Sequence, residues 1–521
     1  MLFKFACYFP AETPHFFIIN IESDVWMVEL LKAIQMELQS LGEDVSRTGL
    51  WLFKADVPLQ PEEDLPSHAR LWLHNQPANS HLSDKRKIAS LFPNGPHLSD
   101  DQLDIIVADG EVLELVEGLG DPDDTYRRKV KKALDDRLKR FPPAPSPSDL
   151  VHSSHKLAEL LGGEMPSIHL GRPGGVPVAI FNPALASLQR CLDNLEEVQV
   201  TRSEVERAAK YLRCAVAFYE DDAHRQNAIK ELVDEAIGEK GEWGSTLSWA
   251  DNIKPDGSWW YNSFLLLVLE LKNTLGLSGD APLQAVFDYS KIVSRDKYKR
   301  FREFGNFPIV LVGATGNRFE ISIAVCLGPI YVTKLLTLDL SLGFHASDNI
   351  IRLACVFGAL SRCRLNLRHY YDSVSNLKPP RLSCLYPNPT LVDRSKTLPA
   401  LTYRQFLSRA GRPTSALVDL GNMTTSMYIA TLGDTNEVIV KFTARYNEAA
   451  HRLLADVDLA PKLHFCERVI GDLYMVVMDR VDGTSVWQFQ EDDKPVPAIV
   501  WKDINEAVRI LHAEGIVFGD L

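Results

Sequence analysis

The sequence predicts a multidomain chain of α+β and α/β class, with folded blocks at about 1–110, 180–375 and 400–521. Three observations predict it. The 521 residues exceed what one domain usually holds. Prolines gather at two joints, Pro142, Pro143, Pro145 and Pro147, then Pro379, Pro380, Pro387, Pro389 and Pro399. Their fixed φ and missing donors stop regular elements there. Between the joints, β-branched and aromatic runs alternate with segments of helical period. The first joint belongs to a helical and Pro/Gly-rich linker over 111–179, with a charged helix at 124–140 and a Gly/Pro stretch at 171–177. The second is a Pro-rich linker over 376–399.

Composition narrows the class. Lys plus Arg number 56 and Asp plus Glu 69, a net charge of −13; apolar residues are 45% and charged residues 24%. These values exclude a mainly disordered or fibrous chain. No apolar run approaches the roughly 18 residues a membrane span needs, so no membrane partner is expected. Eight cysteines without a CxxC pair predict neither a disulfide framework nor a Cys-rich zinc site. The acidic balance argues against wholesale coating of nucleic acid and leaves room for a local basic groove. Lys4 interrupts and Pro10 ends the apolar start of the chain. It therefore reads as a strand and not a signal peptide, and no standard secretion route is expected.

In the first block, 3–9 and 15–21 read as strands divided by Pro10 and Pro14. Val25, Val28, Leu31, Ile34 and Leu38 recur at helical period. Residues 50–53 form a strand that runs into 55–59, and 103–107 form a late strand. This ββαβ order predicts a small α+β grasp-type fold. His15, His68 and His74 read as ordinary surface histidines, and nothing in the block reads as catalytic.

The residues Leu50-Trp51-Leu52-Phe53-Lys54-Ala55-Asp56-Val57-Pro58-Leu59, Leu82-Ser83, Leu91-Phe92-Pro93 and Leu103-Asp104-Ile105-Ile106-Val107 give this block a resemblance. It resembles the N-terminal domain of Crinkler-type effectors of fungi and oomycetes, with approximate forms of that family's leucine-phenylalanine-rich and valine-rich motifs. The resemblance covers 1–110 and implies a ubiquitin-like domain at the head of a variable C-terminal toxin domain. It also implies a targeting role, a host protein partner, and secretion toward a host cell's nucleus or cytoplasm. A basic cluster at 127–132 is a nuclear-localisation candidate or a solvated helix face.

The second block opens with a helical segment at 201–238, capped by Thr201 or Ser203. Asp256 follows Pro255, and an apolar strand at 264–272 ends in Glu270 and Lys272, which share a strand face. Residues 257–263 have hairpin-turn composition, which would bring Asp256 beside Glu270. Two carboxylates at a sheet end can hold Mg2+ or Mn2+. Such an ion polarises a phosphoryl oxygen and acidifies a bound water. An ammonium on the same face orients that water and offsets transition-state charge. The plain alternative is a solvated Glu–Lys pair and an unrelated Asp.

The Pro-Asp…Glu-x-Lys spacing resembles the PD-(D/E)xK nuclease superfamily, whose fold is that of type II restriction enzymes. The resemblance implies a restriction-endonuclease-like core at 180–375. Asp256 and Glu270 would be metal ligands and Lys272 the catalytic lysine, followed by a helix at 281–293 and a strand at 309–314. Members often carry Gln on that helix three residues before Tyr. Here Gln284 is followed by Asp288 and then Tyr289, a departure that puts the role of Gln284 in doubt. Asp222 is the candidate acidic ligand from the first helix, with Glu220 and Asp221 as alternatives.

Lys291, Arg295, Lys297, Lys299, Arg300 and Arg302, interleaved with Tyr298 and Phe301, form a candidate DNA- or RNA-binding stretch or a solvated face. Arg352, Arg362, Arg364 and Arg368 would form a second basic wall. Trp243, Trp249, Trp259 and Trp260 are expected in the core or hairpin, with base stacking as the alternative.

The third block reads as a strand at 437–442 around Lys441, a helix at 446–454 carrying Glu448, a strand at 473–479 and a helix at 500–514. It resembles a protein-kinase N-lobe. Lys441 matches the lysine that contacts ATP phosphates, Glu448 its helix partner and Asp520 the catalytic-loop aspartate. Gly519 fits fungal kinase-like proteins, whereas Phe518 replaces the usual His. The chain stops at Leu521 and 419–430 holds a single glycine, Gly421. The reading therefore expects a degenerate lobe or a truncated gene model, inactive as written, with ATP binding left open. The function expected overall is an effector- or toxin-like metal-dependent nuclease acting on DNA, or on RNA. The alternatives are a kinase-type phosphotransferase and a non-catalytic effector that binds nucleic acid or protein.

Overall fold

Alternation of large apolar side chains builds the first strand, β1 (Leu2–Phe9): Phe3, Phe5, Cys7 and Phe9 are buried, while Leu2 and Lys4 face out. The computed structural model describes residues 2–11, 14–41, 43, 50–58, 65–74, 82, 87–93, 95–96, 102–109, 112, 122–139, 168–170, 177–250, 252–273, 280–343, 346–408, 413–415, 425–433, 435–483, 486, 489 and 493–517. The chain divides into two compact units, Met1–Tyr126 and Arg127–Leu521. It is a mixed α and β protein with three sheets among the described residues.

In the first unit, β1 joins β2 (His15–Glu22), β3 (Trp51–Pro58) and β4 (Gln102–Ala108) in a sheet of order β2-β1-β4-β3. The central β1–β4 pair is parallel and both outer pairs are antiparallel. Helix α1 (Met27–Ser40) packs Met27, Leu30, Ile34 and Leu38 into a core shared with Phe5, Leu52 and Ile105. Helices α2 (Leu65–His74) and α3 (Ile88–Leu91) complete the unit, with Phe92 edge-on to Phe5 at 4.8 Å between ring centroids. The strands and first helix match those expected from the pattern of residues, and α2 and α3 are additional to them. Helix α4 (Pro122–Lys139) follows.

The second unit contains a seven-stranded sheet: β5 (Ile168–Leu170), β6 (Glu242–Trp243), β7 (Gly257–Tyr261), β8 (Phe264–Lys272), β9 (Ile309–Thr315), β10 (Arg318–Cys326) and β11 (Ile330–Asp339). Its order is β5-β11-β10-β9-β8-β7-β6. Helices α5 (Pro183–Asp193), α6 (Arg202–Ala215), α7 (Asp222–Ile237), α8 (Ala281–Val293) and α9 (Ala346–Ser375) pack with it. Strands β8 and β9 are parallel, so a crossover must join them, and α8 is that crossover. Near-continuous burial of β8 follows from its central position between covered faces.

Two local expectations are corrected here. The segment 201–238 is two helices, because a second cap interrupts it. Thr201 and Glu204 close a capping box on α6. Asp221 then accepts the His224 N–H at 2.8 Å and starts α7, which ends at Gly238 with φ of 77°. Residues 257–263 are mostly strand β7. Only Asn262 and Ser263 turn the chain, with Asn262 at φ of 54° in the left-handed region that Asn tolerates.

Gly313 of β9 sits opposite Glu270 of β8. A Cβ there would lie 2.5 Å from Pro282 Cδ and 2.7 Å from Pro282 N, so the first turn of α8 lies flush on the strand. Gly313→Val is expected to destabilise the unit by ~1–3 kcal/mol through this overpacking, read from urea unfolding midpoints.

The segment 376–399 is anchored between 382 and 391, where Leu382, Leu385 and Leu391 are buried, and is exposed over 392–398. Asn388 donates its N–H to Ile180 O at 2.8 Å, and Ile470 donates to Thr390 O at 2.9 Å. The third sheet contains β12 (Leu401–Leu407), β13 (Pro413–Thr414), β14 (Thr425–Leu432), β15 (Asn436–Thr443), β16 (Leu463–Val469) and β17 (Leu473–Asp479). Its order is β13-β12-β14-β15-β17-β16, antiparallel throughout. It carries α10 (Glu448–Ala455) and α11 (Ala498–Ala513). All eight cysteines are free thiols. Among the described residues, no helix is long and apolar enough to cross a membrane.

Candidate active site

The register of the β7–β8 hairpin sets Gly257 opposite Leu269. Asp256 therefore falls just beyond the paired strands, beside Glu270 and Leu271. Its N–H donates to Glu270 Oε1 at 3.3 Å, and its Oδ2 accepts the Leu271 N–H at 2.8 Å. Its carbonyl accepts from Gln226 Nε2 at 2.7 Å and from the Gly244 N–H at 3.0 Å. The backbone and side chain of Asp256 are thus held on separate partners, which fixes the direction of the carboxylate.

Lys272 ends β8, and its Nζ lies 3.6 Å from Asp222 Oδ2. The other oxygen of Asp222 accepts the Asn273 N–H at 2.7 Å. Asp222 opens α7, so the helix start brings this carboxylate to the strand end. Asp222, Asp256, Glu270 and Lys272 therefore meet at the carboxyl end of β8, the end at which open α/β sheets place ligands.

The interior of the site holds a residue that sequence reasoning missed. Asp288, from the inner face of α8, lies against Glu270. Glu270 is 0% exposed, and Glu270 Oε2 and Asp288 Oδ2 are both buried without a hydrogen-bond partner. Burial first, then the neighbouring Asp288 and Asp256, hold the Glu270 carboxyl well above its usual range. Burial pushes Asp288 up to about 6. It also raises Asp256, against the opposing pull of the Leu271 N–H and of Lys272. Two facing carboxyls of this kind are satisfied by sharing one proton. The signal that could have found Asp288 was present, since it is the sole acidic residue in a largely apolar helix.

Gln284 lies one turn before Asp288, and i and i+4 share a helix face. Its Oε1 is buried without a hydrogen-bond partner.

Among the described residues, no group of three or more His, Cys, Asp or Glu side chains gathers closely enough to hold a metal ion. Mg2+ asks for less, because it commonly takes one or two carboxylates, several waters and the phosphate oxygens of its substrate. Asp256 and Glu270 fit that demand, with Glu270 Oε2 left without a donor.

The basic stretch divides in two. Lys297, Lys299 and Arg300 are exposed and make no ion pair among the described residues. Lys291 and Arg295 are half-buried, with Lys291 close enough to Asp288 to favour its ionised form. Arg302 is a correction: it is buried, donating Nε to Val293 O at 3.2 Å and a terminal nitrogen to Arg295 O at 2.6 Å. It braces the loop after α8 and presents nothing to a ligand. Arg364 of the second set is likewise buried, bound to Glu239 and to Ile237 O. Of the four tryptophans, Trp259 is in the core and Trp249 is 37% exposed.

In the third sheet, Lys441 stands mid-strand on β15, and burial lowers its pKa. It has no ion-pair partner among the described residues. Glu448 opens α10 and pairs with Arg452 at 2.8 Å, so Lys441 and Glu448 are not joined. Asp520 lies outside the described residues, as do Gly421, Phe518, Gly519 and the prolines at 142–147.

No protein-family model matches the chain, and neither does any curated protein or solved structure.

Proposed function

We propose that this chain is a metal-dependent nuclease that hydrolyses phosphodiester bonds of DNA, with RNA as the alternative substrate. The observation that carries the reading is the hairpin register, which sets Asp256 against Glu270 and Leu271 with Lys272 on the same strand end. Asp256 and Glu270 would hold Mg2+ or Mn2+, with Asp222 as an outer carboxylate. The bound ion would supply Lewis-acid polarisation of a phosphoryl oxygen and a water of lowered pKa. Lys272 orients the attacking water and offsets charge on the phosphoryl group as it develops. Asp222 positions the Lys272 ammonium. Lys297, Lys299 and Arg300 contact backbone phosphates without reading sequence.

The folds that go with this reading are a ubiquitin-like N-terminal domain, a restriction-endonuclease-like core and a kinase-N-lobe-like third sheet. The parallel central pair in β2-β1-β4-β3 supports the first, and the β8–α8–β9 crossover behind the carboxylates supports the second. The N-terminal domain serves targeting toward a host protein, as in effectors of the Crinkler type. A phosphotransferase reading has less support, because Lys441 and Glu448 do not pair.

The test is cleavage of plasmid DNA and of RNA by the full chain in Mg2+ or EDTA, with wild type and Asp256→Asn. The expected result is cleavage in Mg2+, none in EDTA, and a loss of ~10²-fold or more in the variant. Cleavage that survives EDTA, or binding without cleavage in any metal, would overturn the reading.

A further inference from the structure

The loop that ends on Asp256 also carries an aromatic surface outside the carboxylate site. Leu247 and Ile253 bridge across this loop, and Trp249 stands between them. Its indole packs edge-on against Trp260 and against Tyr298, each at 6.2 Å between centroids. Both neighbours are themselves pinned. Trp260 donates Nε1 to Ser258 Oγ at 2.9 Å, and the Tyr298 hydroxyl donates to Ser263 O. Two aromatic neighbours thus hold the Trp249 ring, and one face carries the Lys297 ammonium at 3.5 Å from the centroid. Lys297 has no carboxylate partner among the described residues, and exposed Lys299 and Arg300 follow it.

An ammonium resting on an exposed indole favours that state by a factor of about two to five. A nucleobase stacked on an aromatic ring favours binding by about five- to 150-fold. A base therefore displaces Lys297 from the ring, and the freed ammonium becomes available to the phosphate of the same strand. The ammonium gives up weak contacts with the Trp249 and Tyr298 rings, and a base stack and a phosphate contact replace them. A paired and stacked base has no free face to offer, so the exchange selects for an unpaired one. Trp260 follows Asp256 by four residues, roughly 13 Å along an extended strand, so one polynucleotide can reach both places.

We propose that Trp249 and Lys297 form a base-stacking site that selects single-stranded or locally unpaired polynucleotide for the Asp256–Glu270 centre, an inference that rests on the nuclease reading. The test measures binding of a labelled single-stranded oligonucleotide and of its duplex to the full chain by anisotropy in EDTA. Trp249→Leu keeps apolar packing against Trp260 and Tyr298 without a π-face. It is expected to weaken single-strand binding about five- to 100-fold and duplex binding less than about twofold. Trp249→Phe is expected to retain most of the affinity. Lys297→Gln is expected to reduce the salt dependence by about one phosphate contact. Equal loss for single strand and duplex, or no loss in Trp249→Leu, would overturn the site. Thermal melts of each variant separate misfolding from lost stacking. The same oligonucleotides in Mg2+ separate the two readings. Cleavage with an unchanged strand preference in Trp249→Leu overturns the stacking site alone. Trp249-dependent binding without cleavage overturns the nuclease alone.

Discussion

Lys272→Ala is expected to lower the single-turnover rate of phosphodiester cleavage by ~10²–10³-fold, the usual cost of removing one preorganised group that stabilises transition-state charge. Stability should hardly change. The Lys272–Asp222 pair is 3.6 Å long with Asp222 partly open to solvent, and such pairs contribute at most ~1 kcal/mol. The pH profile carries further information. The Lys272 charge pulls the Asp256 and Glu270 carboxyls downward against the burial that raises them. Without it both hold their protons to higher pH, so the acid limb of the rate profile moves upward. Lys272→Arg keeps the charge and should keep the limb in place while losing rate, since a planar guanidinium does not place its donors where an ammonium does. Cleavage rates across pH for the three proteins check this. An alanine variant as fast as wild type, or an acid limb displaced downward, would remove Lys272 from the mechanism.

The residues that were legible in the sequence are those whose placement follows from local period. Glu270 and Lys272 share a strand face because they are two apart, and Asp256 meets them because the intervening segment folds back as a hairpin. The placement depends on where the chain turns: a turn over 257–263 would set Asp256 opposite Phe264, six residues short of Glu270, and the two-residue turn at Asn262 and Ser263 is what carries Asp256 along β8 to Glu270. Asp288 was not legible in the same way. Which face of α8 points inward depends on its docking against β8 and β9, and Gly313 sets how closely it docks. Arg302 and Arg364 misled for a related reason. A run of charges reads as surface, yet a guanidinium with backbone carbonyls or a carboxylate within reach can be drawn inside. The pairing of Lys441 with Glu448 also depends on how a helix sits over a sheet, and pattern alone says nothing of that.

Glu270→Gln and Asp288→Asn are each expected to make the metal-free protein more stable at pH 8 by ~1–3 kcal/mol, while Glu270→Gln abolishes cleavage. The sign follows from the raised carboxyls. In the unfolded chain they ionise near pH 4; in the folded protein burial keeps them protonated to higher pH. Between those limits the folded state binds more protons, so stability falls as pH rises, and above the folded values the whole penalty remains. An amide carries no such penalty, and its NH2 donates to the facing carboxylate as the shared proton did. At pH 3 the wild-type pair is fully protonated and the gain should vanish. Urea midpoints at both pH values test this. Mg2+ then divides the two variants. Wild type and Asp288→Asn should gain about 2.7 kcal/mol at a concentration one hundred times Kd, because both keep the Glu270 carboxylate. Glu270→Gln should gain far less. A Glu270→Gln protein less stable than wild type at pH 8 without metal would mean that the pair is satisfied in some other way. The predicted gain would then be lost, and with it the argument that the fold gives up stability at this site to keep a buried carboxyl pair that can exchange its shared proton for a cation.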